Sequence, residues 1–314
     1  MDHAERPLRR GTGALSKEKG RPSPQSRAYA LALGAVLCWS TVASAFKLTL
    51  RVTDPVTMLL YSSLVSALFL GGAIVASSGP KGLRRVFPTR RAWADSALNG
   101  LLNPFLYYLV LFHAYHLLPA QEAQPLNYTW PIMVVLLSAP MLGQRLRPLS
   151  LVAILVSFIG VLIISTRGNV FGLRFSNGPG ALLALGSSLI WATYWLRNIR
   201  DTRAPLQKLA GSFLFGATYI FVYSNVFGPG MAVSGRGLLG CIYIGLFEMG
   251  IAFLLWLRAL TLSETSAKVS NLVFLSPFIS LLFIRYLVGE QILPSSILGL
   301  AVIVLGIWIQ GRAR

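Results

Sequence analysis

Residues 127–150, NYTWPIMVVLLSAPMLGQRLRPLS, and residues 273–296, VFLSPFISLLFIRYLVGEQILPSS, align without a gap when the sequence is shifted by 146 positions. The identical pairs include Pro131 with Pro277, Gly143 with Gly289, Pro148 with Pro294 and, beyond the quoted stretches, Gly160 with Gly306. The chain therefore contains two copies of one unit. Each copy has a proline inside an apolar stretch that is long enough to cross a membrane.

The composition is that of an integral membrane protein. Of the 314 residues, 54% are hydrophobic and 12% are charged, whereas about a quarter of the residues in a soluble protein are charged. Apolar runs long enough to span about 30 Å of hydrocarbon recur along the chain. They predict ten transmembrane helices over residues 29–50, 56–77, 93–117, 120–142, 149–166, 179–199, 208–227, 237–259, 265–287 and 294–311.

The basic residues are distributed very unequally between the two sides of these spans. The net charge is +18, and 21 of the 28 Lys and Arg residues fall on the side of the N-terminus, against 5 on the other side. This bias predicts that both termini are cytoplasmic. It also accounts for the excess charge without a nucleic-acid partner. Residues 1–28 are polar and basic and are predicted to form a disordered cytoplasmic tail.

The number of spans in each unit predicts how the two copies are related. Five is an odd number, so the second copy must enter the membrane from the opposite side. The predicted fold is an all-α integral membrane protein of ten transmembrane helices, in two inverted five-helix repeats (residues 29–166 and 179–311) around a central cavity. Inverted repeats are typical of secondary transporters, which bind solutes between the halves. A scaffolding or signalling role is the structural alternative.

Several residues give the chain a resemblance to a known family. They are Trp39 and Lys47 in the first span and Pro277, Gly289, Glu290, Gly299 and Gly306 in the second copy. Over residues 29–311 the chain resembles the drug/metabolite transporter superfamily, with two EamA-type repeats. The first copy departs from that pattern at Ser40, at Tyr61, where Arg is usual, and at Gln144, where Glu is usual.

The third and fourth spans carry a run of aromatic residues: Phe105, Tyr107, Tyr108, Phe112, Tyr115, Tyr128 and Trp130. This run is similar to that of the YddG-type exporters of aromatic and other neutral amino acids. The resemblance implies a multi-pass protein of the bacterial inner membrane that carries amino acids out of the cytoplasm.

The segment before Pro131 is polar and aromatic where a transmembrane helix is usually plain. Pro131 lacks a backbone donor and obstructs the carbonyl group one turn earlier, so the helix should be interrupted. On helical spacing Gln124, Asn127 and Tyr128 share the face of Pro131, with Trp130 on its flank. Either these side chains bridge helices, or they form a cavity wall that binds a zwitterion by hydrogen bonds and an aromatic side chain by stacking.

Other spans repeat these features. Asn103 and Pro104 interrupt the third span, Trp191 lies on an aromatic face of the sixth, and Asn271 precedes Pro277 in the ninth. The predicted substrate-binding residues are Tyr107, Tyr108, Asn127, Tyr128, Trp130, Trp191 and Asn271. The predicted positions of helix interruption and gating are Asn103, Pro104, Pro131 and Pro277. Because the polar and aromatic residues concentrate in the first copy, the two halves of the site should be chemically unequal.

Charges inside the spans are few and costly, so each is a candidate for coupling or gating. Lys47 and Glu122 lie near the predicted outer ends of their spans, where they could pair, or Lys47 could extend to the interface. Glu248 is the only carboxylate deep in a span and is either a proton carrier or a protonated acid in a packed interface. Lys268 follows Glu264 by four residues, the spacing of a helix-stabilising pair or an inner gate.

The motifs that would indicate other functions are missing from the sequence. It contains no HExxH, no phosphate-binding glycine loop and only three histidines, so neither an enzyme nor a metal or cofactor is predicted. Carriers of sugar phosphates or nucleotide sugars, which are the alternatives within the superfamily along with multidrug carriers, would need deeply placed basic residues. The expected partners are a neutral or zwitterionic amino acid and the lipid bilayer, and we expect a monomer, with a dimer as the alternative.

Overall fold

The computed structural model describes residues 23–143, 148–172, 176–198, 200–228, 230–263 and 271–312. Within these ranges all regular structure is helical. The first-half helices are α1 (Pro24–Leu50), α2 (Pro55–Ser78), α3 (Arg90–Gly100), α4 (Tyr107–Leu117), α5 (Ala120–Asn127), α6 (Trp130–Leu142) and α7 (Pro148–Ser165). The second-half helices are α8 (Gly178–Asn198), α9 (Pro205–Phe227), α10 (Gly235–Tyr243), α11 (Ala252–Leu262), α12 (Leu275–Phe283) and α13 (Pro294–Arg312).

Short helical segments of other types connect some of these helices. Residues Pro80–Val86 and Asn271–Phe274 form 3₁₀-helices. Residues Leu101–Leu106, Ile244–Ile251 and Ile284–Val288 form π-helical turns. Such turns lie at interruptions of the α-helical hydrogen-bond pattern and are frequent at functional sites.

Five helices in the described ranges are long and apolar enough to cross a membrane: Pro24–Leu50, Pro55–Ser78, Pro148–Ser165, Pro205–Phe227 and the continuous run Gly235–Leu262. The predicted spans 93–117 and 120–142 are each interrupted, at Asn103 and at Tyr128–Thr129. The interruption by prolines was predicted for both. The π-helical turn at Ile244–Ile251, inside the predicted span 237–259, was not predicted.

The first helix begins earlier than the sequence indicates. Residues 24–28 were assigned to the disordered tail, but they are the first turn of α1, and Ala28 is fully buried. The side chain of Ser23 accepts a hydrogen bond from the Ser26 amide at 3.1 Å, and Pro24 occupies the first turn. Both are favoured at helix N-termini, so the prediction that residues 1–28 are disordered is wrong for this segment.

Helices α7 and α13 pack along one another at very short distance. A Cβ atom at Gly160 would overlap the Gly299 carbonyl, and a Cβ atom at Gly306 would overlap the Ala153 carbonyl. Because position 153 faces 306 and position 160 faces 299, the two helices run antiparallel. Glycine is required here by the close approach of the two backbones.

The two glycines matched in the repeat adopt the same backbone conformation. Gly143 follows the end of α6 and has a φ of 68°. Gly289 follows the π-helical turn Ile284–Val288 and has a φ of 81°. A left-handed residue at this position is the common end of a helix, and glycine adopts it without steric cost. The chain therefore turns in the same way after each of the two proline-containing segments.

Arg203 fastens the loop between α8 and α9 to the first half. Its guanidinium donates to Asp201 Oδ2 at 2.6 Å, to the Val86 carbonyl at 2.7 Å and to Ser96 Oγ at 2.8 Å. Burial raises the pKa of Asp201, but the hydrogen bonds from Arg203 outweigh burial and hold this pKa below its ordinary value. The carboxylate is therefore ionised at neutral pH, and the pair persists there.

The close crossing of α7 and α13 makes a testable prediction. Gly160→Ala should destabilise the protein by about 1–3 kcal/mol because the added methyl group forces the two backbones apart. Thermal unfolding in detergent, followed by circular dichroism, measures the change. Gly186→Ala in α8 is the matched control, since open space surrounds that Cβ position. Equal midpoints for the two variants would contradict the close approach.

Candidate functional site

The interruption before Pro131 lies at Tyr128 and Thr129, between α5 and α6. Tyr128 N donates to the Gln124 carbonyl at 2.9 Å, and Pro131 lies in the first turn of α6. Thr129 Oγ1 donates to the Leu126 carbonyl at 2.8 Å and lies 3.1 Å from Ser188 Oγ. The Leu126 carbonyl also accepts the Thr129 amide at 3.3 Å, so this backbone group stays paired at the interruption, as an apolar environment requires.

Asn127 links three helices at this interruption. Its Oδ1 accepts a hydrogen bond from the Tyr107 hydroxyl at 3.3 Å, and its Nδ2 donates to Ser187 Oγ at 2.8 Å. The interpretation of Asn127 as a bridge between helices therefore describes its contacts. Asn127 also lines the cavity described below. One residue therefore both connects the helices and forms part of the cavity wall.

Aromatic rings pack against one another beside Asn127. Tyr107 stacks on Trp191 with ring centroids 4.7 Å apart. Trp191 also contacts Tyr194 and Phe253, at 5.4 Å and 5.7 Å. Rings locked in this way form a rigid apolar surface whose exposed faces can stack against another aromatic group.

Glu248 enters the same region from the π-helical turn between α10 and α11. Its Oε1 accepts a hydrogen bond from the Tyr108 hydroxyl at 3.0 Å, whereas Oε2 has no hydrogen-bond partner among the described residues. Only 9% of Glu248 is exposed, and Tyr108 is fully buried. A Cβ atom at Gly245 would overlap the Ser62 carbonyl, so α2 closely approaches this turn.

These side chains surround one cavity, about 80 Å³ of which is space that the centre of a water molecule can reach. Its wall is formed by Trp39, Val42, Ala43, Phe46, Tyr107, Leu111, Tyr115, Gln124, Asn127, Tyr128, Trp130, Trp191, Trp195, Glu248, Phe253, Trp256 and Val273. Among these residues there is one carboxylate and no basic side chain. The wall is otherwise apolar or aromatic, with the Gln124 and Asn127 amides as its neutral polar groups.

The cavity brings together five of the seven predicted substrate-binding residues. Tyr107, Asn127, Tyr128, Trp130 and Trp191 line it. Tyr108 does not; it lies behind the wall and orients Glu248. Asn271 begins the 3₁₀-helix that precedes α12, but its side chain lies outside the described part of the structure. Pro277 is buried in the first turns of α12.

Sequence reasoning missed several aromatic residues of the wall. Trp39 contacts Trp256 at 5.3 Å and Phe253 at 6.2 Å between ring centroids, which joins α1 to α11. Trp195 also lies on the cavity wall, with its ring centroid 6.5 Å from that of Trp130. The spacing of Phe253 and Trp256 by three residues was the available signal, because it puts both on one helix face.

Asn103 and Pro104 serve the packing of α9 rather than the cavity wall. Asn103 is fully buried and has the extended dihedrals φ −145° and ψ 120°. A Cβ atom at Gly216 would overlap the Pro104 ring, so the interruption fits closely against α9. The predicted interruption is confirmed, and both residues lie outside the set that lines the cavity.

The predicted pair of Lys47 and Glu122 does not form. Lys47 Nζ donates to the Tyr115 and Leu118 carbonyls, each at 2.7 Å, at the end of α4. Carbonyls at a helix C-terminus attract a cation, so these two carbonyls, and not Glu122, hold the Lys47 ammonium group. Glu122 instead accepts from Arg167 Nε at 2.9 Å and from the Ser176 hydroxyl.

Glu290, which the sequence singles out only for the family resemblance, makes a contact between the halves. Its carboxylate accepts hydrogen bonds from the Ala120 and Gln121 amides, at 2.9 Å and 3.3 Å. It thereby caps the N-terminus of α5, where a negative charge is favourable. The predicted inner pair of Glu264 and Lys268 lies outside the described residues.

Comparison with known proteins places this arrangement in a family. Residues 26–166 and 178–311 match the EamA-like transporter family. The chain is 30% identical over 234 residues to the aromatic amino acid exporter YddG of Ancylobacter novellus, covering 74% of this chain and 79% of that protein. It is 24% identical over 288 residues to the uncharacterized transporter YvbV of Bacillus subtilis, covering 90% and 91%.

A solved crystal structure has a similar fold. It superposes with a TM-score of 0.64 and 25% sequence identity, covering 90% of this chain and 96% of the other. The family and these relatives are named as transporters, not as enzymes. The chain therefore belongs to the EamA-like transporter family.

Proposed function

We propose that this transporter exports neutral amino acids, especially aromatic and hydrophobic ones, from the cytoplasm by alternating access. The observation that carries the proposal is the cavity wall, in which stacked Trp and Tyr rings surround neutral amides and a single carboxylate. Aromatic faces suit an apolar or aromatic side chain. The relative from Ancylobacter novellus, an aromatic amino acid exporter by name, supports the same substrate class.

The alternative substrates within the superfamily fit this wall less well. Sugar phosphates and nucleotide sugars carry phosphate groups, which proteins bind with Arg or Lys. The described residues of the wall include neither. Lys47 directly follows the wall residue Phe46 in the sequence, but two backbone carbonyls hold its ammonium group. A multidrug carrier remains the second candidate, because aromatic walls also accept apolar drugs.

The proposed architecture is ten transmembrane helices in two inverted repeats, residues 29–166 and 179–311. The contact between α7 and α13 supports it: Gly160 meets Gly299, and Gly306 meets Ala153. Under the shift of 146 positions these two contacts exchange, which is the pattern of a two-fold axis. Because the helices are antiparallel, that axis is perpendicular to them. In the proposed architecture it lies in the membrane plane, which inverted topology requires.

The proposed orientation puts both termini in the cytoplasm and the protein in a bacterial inner membrane. The unequal distribution of basic residues supports this orientation. Under it, the Glu290 carboxylate and the Arg167–Glu122 pair lie at the outer end and join the halves or neighbouring segments there. We assign them, together with the Lys47 contacts, to an outer gate, whose opening would break these bonds.

Glu248 is the proposed coupling residue, because it is the carboxylate of the cavity wall. Among the described residues, the titratable side chains that interact with it electrostatically are Cys38 on α1, Tyr107, Tyr108 and Tyr115 on α4, and Tyr128. None of these carries a positive charge. Because none of these neighbours is a cation that would hold the Glu248 carboxylate ionised, Glu248 can exchange a proton with the cavity.

The substrate class is tested with purified protein in liposomes. Uptake of labelled phenylalanine, tryptophan, methionine and threonine should exceed that of empty liposomes, and the two aromatic amino acids should be transported best because they stack on the wall. A fluorescent cationic drug, transported in the same vesicles, tests the second candidate. Drug flux without flux of any amino acid would overturn the proposed substrate class.

The cavity wall is tested by shortening two side chains. Trp130→Ala should raise the apparent KM for tryptophan about three- to tenfold, since stacking contributes about 0.5–1.5 kcal/mol. Asn127→Ala should also weaken transport, because it frees the Tyr107 and Ser187 hydroxyls. Trp308→Ala, at an exposed position of α13, and Asn225→Ala, at an exposed position of α9, are the matched controls. Unchanged transport in both cavity variants would return these residues to a structural role.

The coupling role is tested with a pH gradient. Flux through the wild-type protein should change when a gradient is imposed across the liposome membrane, whereas flux through Glu248→Gln should not, because an amide neither gains nor loses a proton. Asp95→Asn, at the protein surface, controls for the lost charge. A gradient response that survives in Glu248→Gln would rule out Glu248 as the coupling residue.

A further inference from the structure

Glu248 has an unused hydrogen-bonding capacity at the cavity. One oxygen accepts the Tyr108 hydroxyl at 3.0 Å, and the other has no partner although 91% of the residue is buried. Buried polar atoms are normally paired, and an unpaired one calls for an explanation. The terminal torsion of a Glu side chain is soft, so either oxygen can turn towards the cavity.

No protein cation among the described residues compensates this carboxylate. The ion pairs recorded there join Arg91, Arg167, Arg197 and Arg203 to other acids. An ionised carboxylate within a membrane-spanning region is costly unless a positive charge lies near it. A ligand that brings its own cation would therefore be stabilised at this position more than a neutral or anionic ligand.

The rings around the cavity favour the same charge. Trp39, Trp191 and Phe253 pack close to one another on the wall that Glu248 shares. The faces of such rings carry a partial negative charge and attract cations, most strongly when water is excluded. An ammonium group between the Glu248 carboxylate and these faces is favoured by both, while an attached apolar side chain can stack on the remaining rings.

We propose that the Glu248 carboxylate binds the ammonium group of the substrate, so that the cavity selects aromatic solutes that carry an amine. This inference rests on the proposed function and deepens it by identifying the group that is recognised. Tyr108 acts as a positioning residue, because its hydroxyl holds one carboxylate oxygen and leaves the other for the ligand. The carboxylate group of an amino acid is not required for binding in this scheme.

The experiment compares three ligands that differ only in their charged groups: L-phenylalanine, 2-phenylethylamine and 3-phenylpropionate. Quenching of tryptophan fluorescence in the purified protein reports binding, since five tryptophans line the cavity. The wild-type protein should bind the two amines and bind 3-phenylpropionate at least about tenfold more weakly. In Glu248→Gln the affinity for both amines should fall about ten- to a hundredfold, the range for a hydrogen bond to a charged group, with 3-phenylpropionate unchanged or tighter.

Three further variants make the result specific. Glu248→Asp keeps the charge and should retain part of the preference for amines. Tyr108→Phe should lower amine affinity less than Glu248→Gln, while Asp95→Asn at the surface should behave like the wild type. Monodisperse elution on size exclusion shows that each variant is folded, and Glu248→Asp provides a second folded variant if Glu248→Gln aggregates.

The outcomes separate this inference from the function on which it rests. Two results would overturn the ammonium site even if phenylalanine is transported. One is that Glu248→Gln loses affinity equally for all three ligands. The other is that the wild-type protein binds 3-phenylpropionate as tightly as 2-phenylethylamine. Failure of the wild type to bind any of the three would overturn the proposed function and the inference together.

Discussion

A membrane offers no hydrogen-bond partners to a backbone, and this constraint governs where α4, α5 and α6 begin and end. At the interruption by Tyr128 and Thr129, the Leu126 carbonyl accepts hydrogen bonds from both the amide and the hydroxyl of Thr129. The Lys47 ammonium group stabilises the end of α4 by donating hydrogen bonds to two carbonyls. The Glu290 carboxylate stabilises the start of α5 by accepting hydrogen bonds from two amides. The end of α4 and the start of α5 are therefore each tied to a side chain from a distant part of the chain.

The cavity is a consequence of these interruptions. A continuous helix through residues 120–142 would bury its own backbone bonds and present only side chains. The interrupted one turns Asn127 towards α4 and α8 and puts Tyr128 and Trp130 on the cavity wall. The π-helical turn at Ile244–Ile251 does the same for Glu248 in the second half. Both irregular segments border the cavity, which is where irregular backbone at membrane depth is tolerated.

The sequence predicted the parts of this structure that depend on local chemistry. The prolines predicted the interruptions near residues 104 and 131, because proline cannot donate a backbone hydrogen bond. The matched glycines Gly143 and Gly289 both lie at left-handed turns, which glycine adopts without steric cost. Partners of charged side chains were not predictable. Lys47 and Glu122 have opposite charges and lie at the same predicted depth, but Lys47 binds carbonyls of α4 and Glu122 binds Arg167. Which groups meet is decided by the packing of distant segments.

The repeat also explains why the site is asymmetric although its frame is not. Asn127 and Val273 occupy matched positions, and both line the cavity, so the shared backbone presents the same position from each half. One of the pair supplies hydrogen bonds and the other an apolar surface. The sequence therefore predicts two chemically unequal halves. The second half also contributes to the wall, with Trp191, Trp195 and Trp256 and the carboxylate of Glu248. Duplication fixed where side chains can face the cavity, and divergence after it gave the amides to one half and the acid to the other.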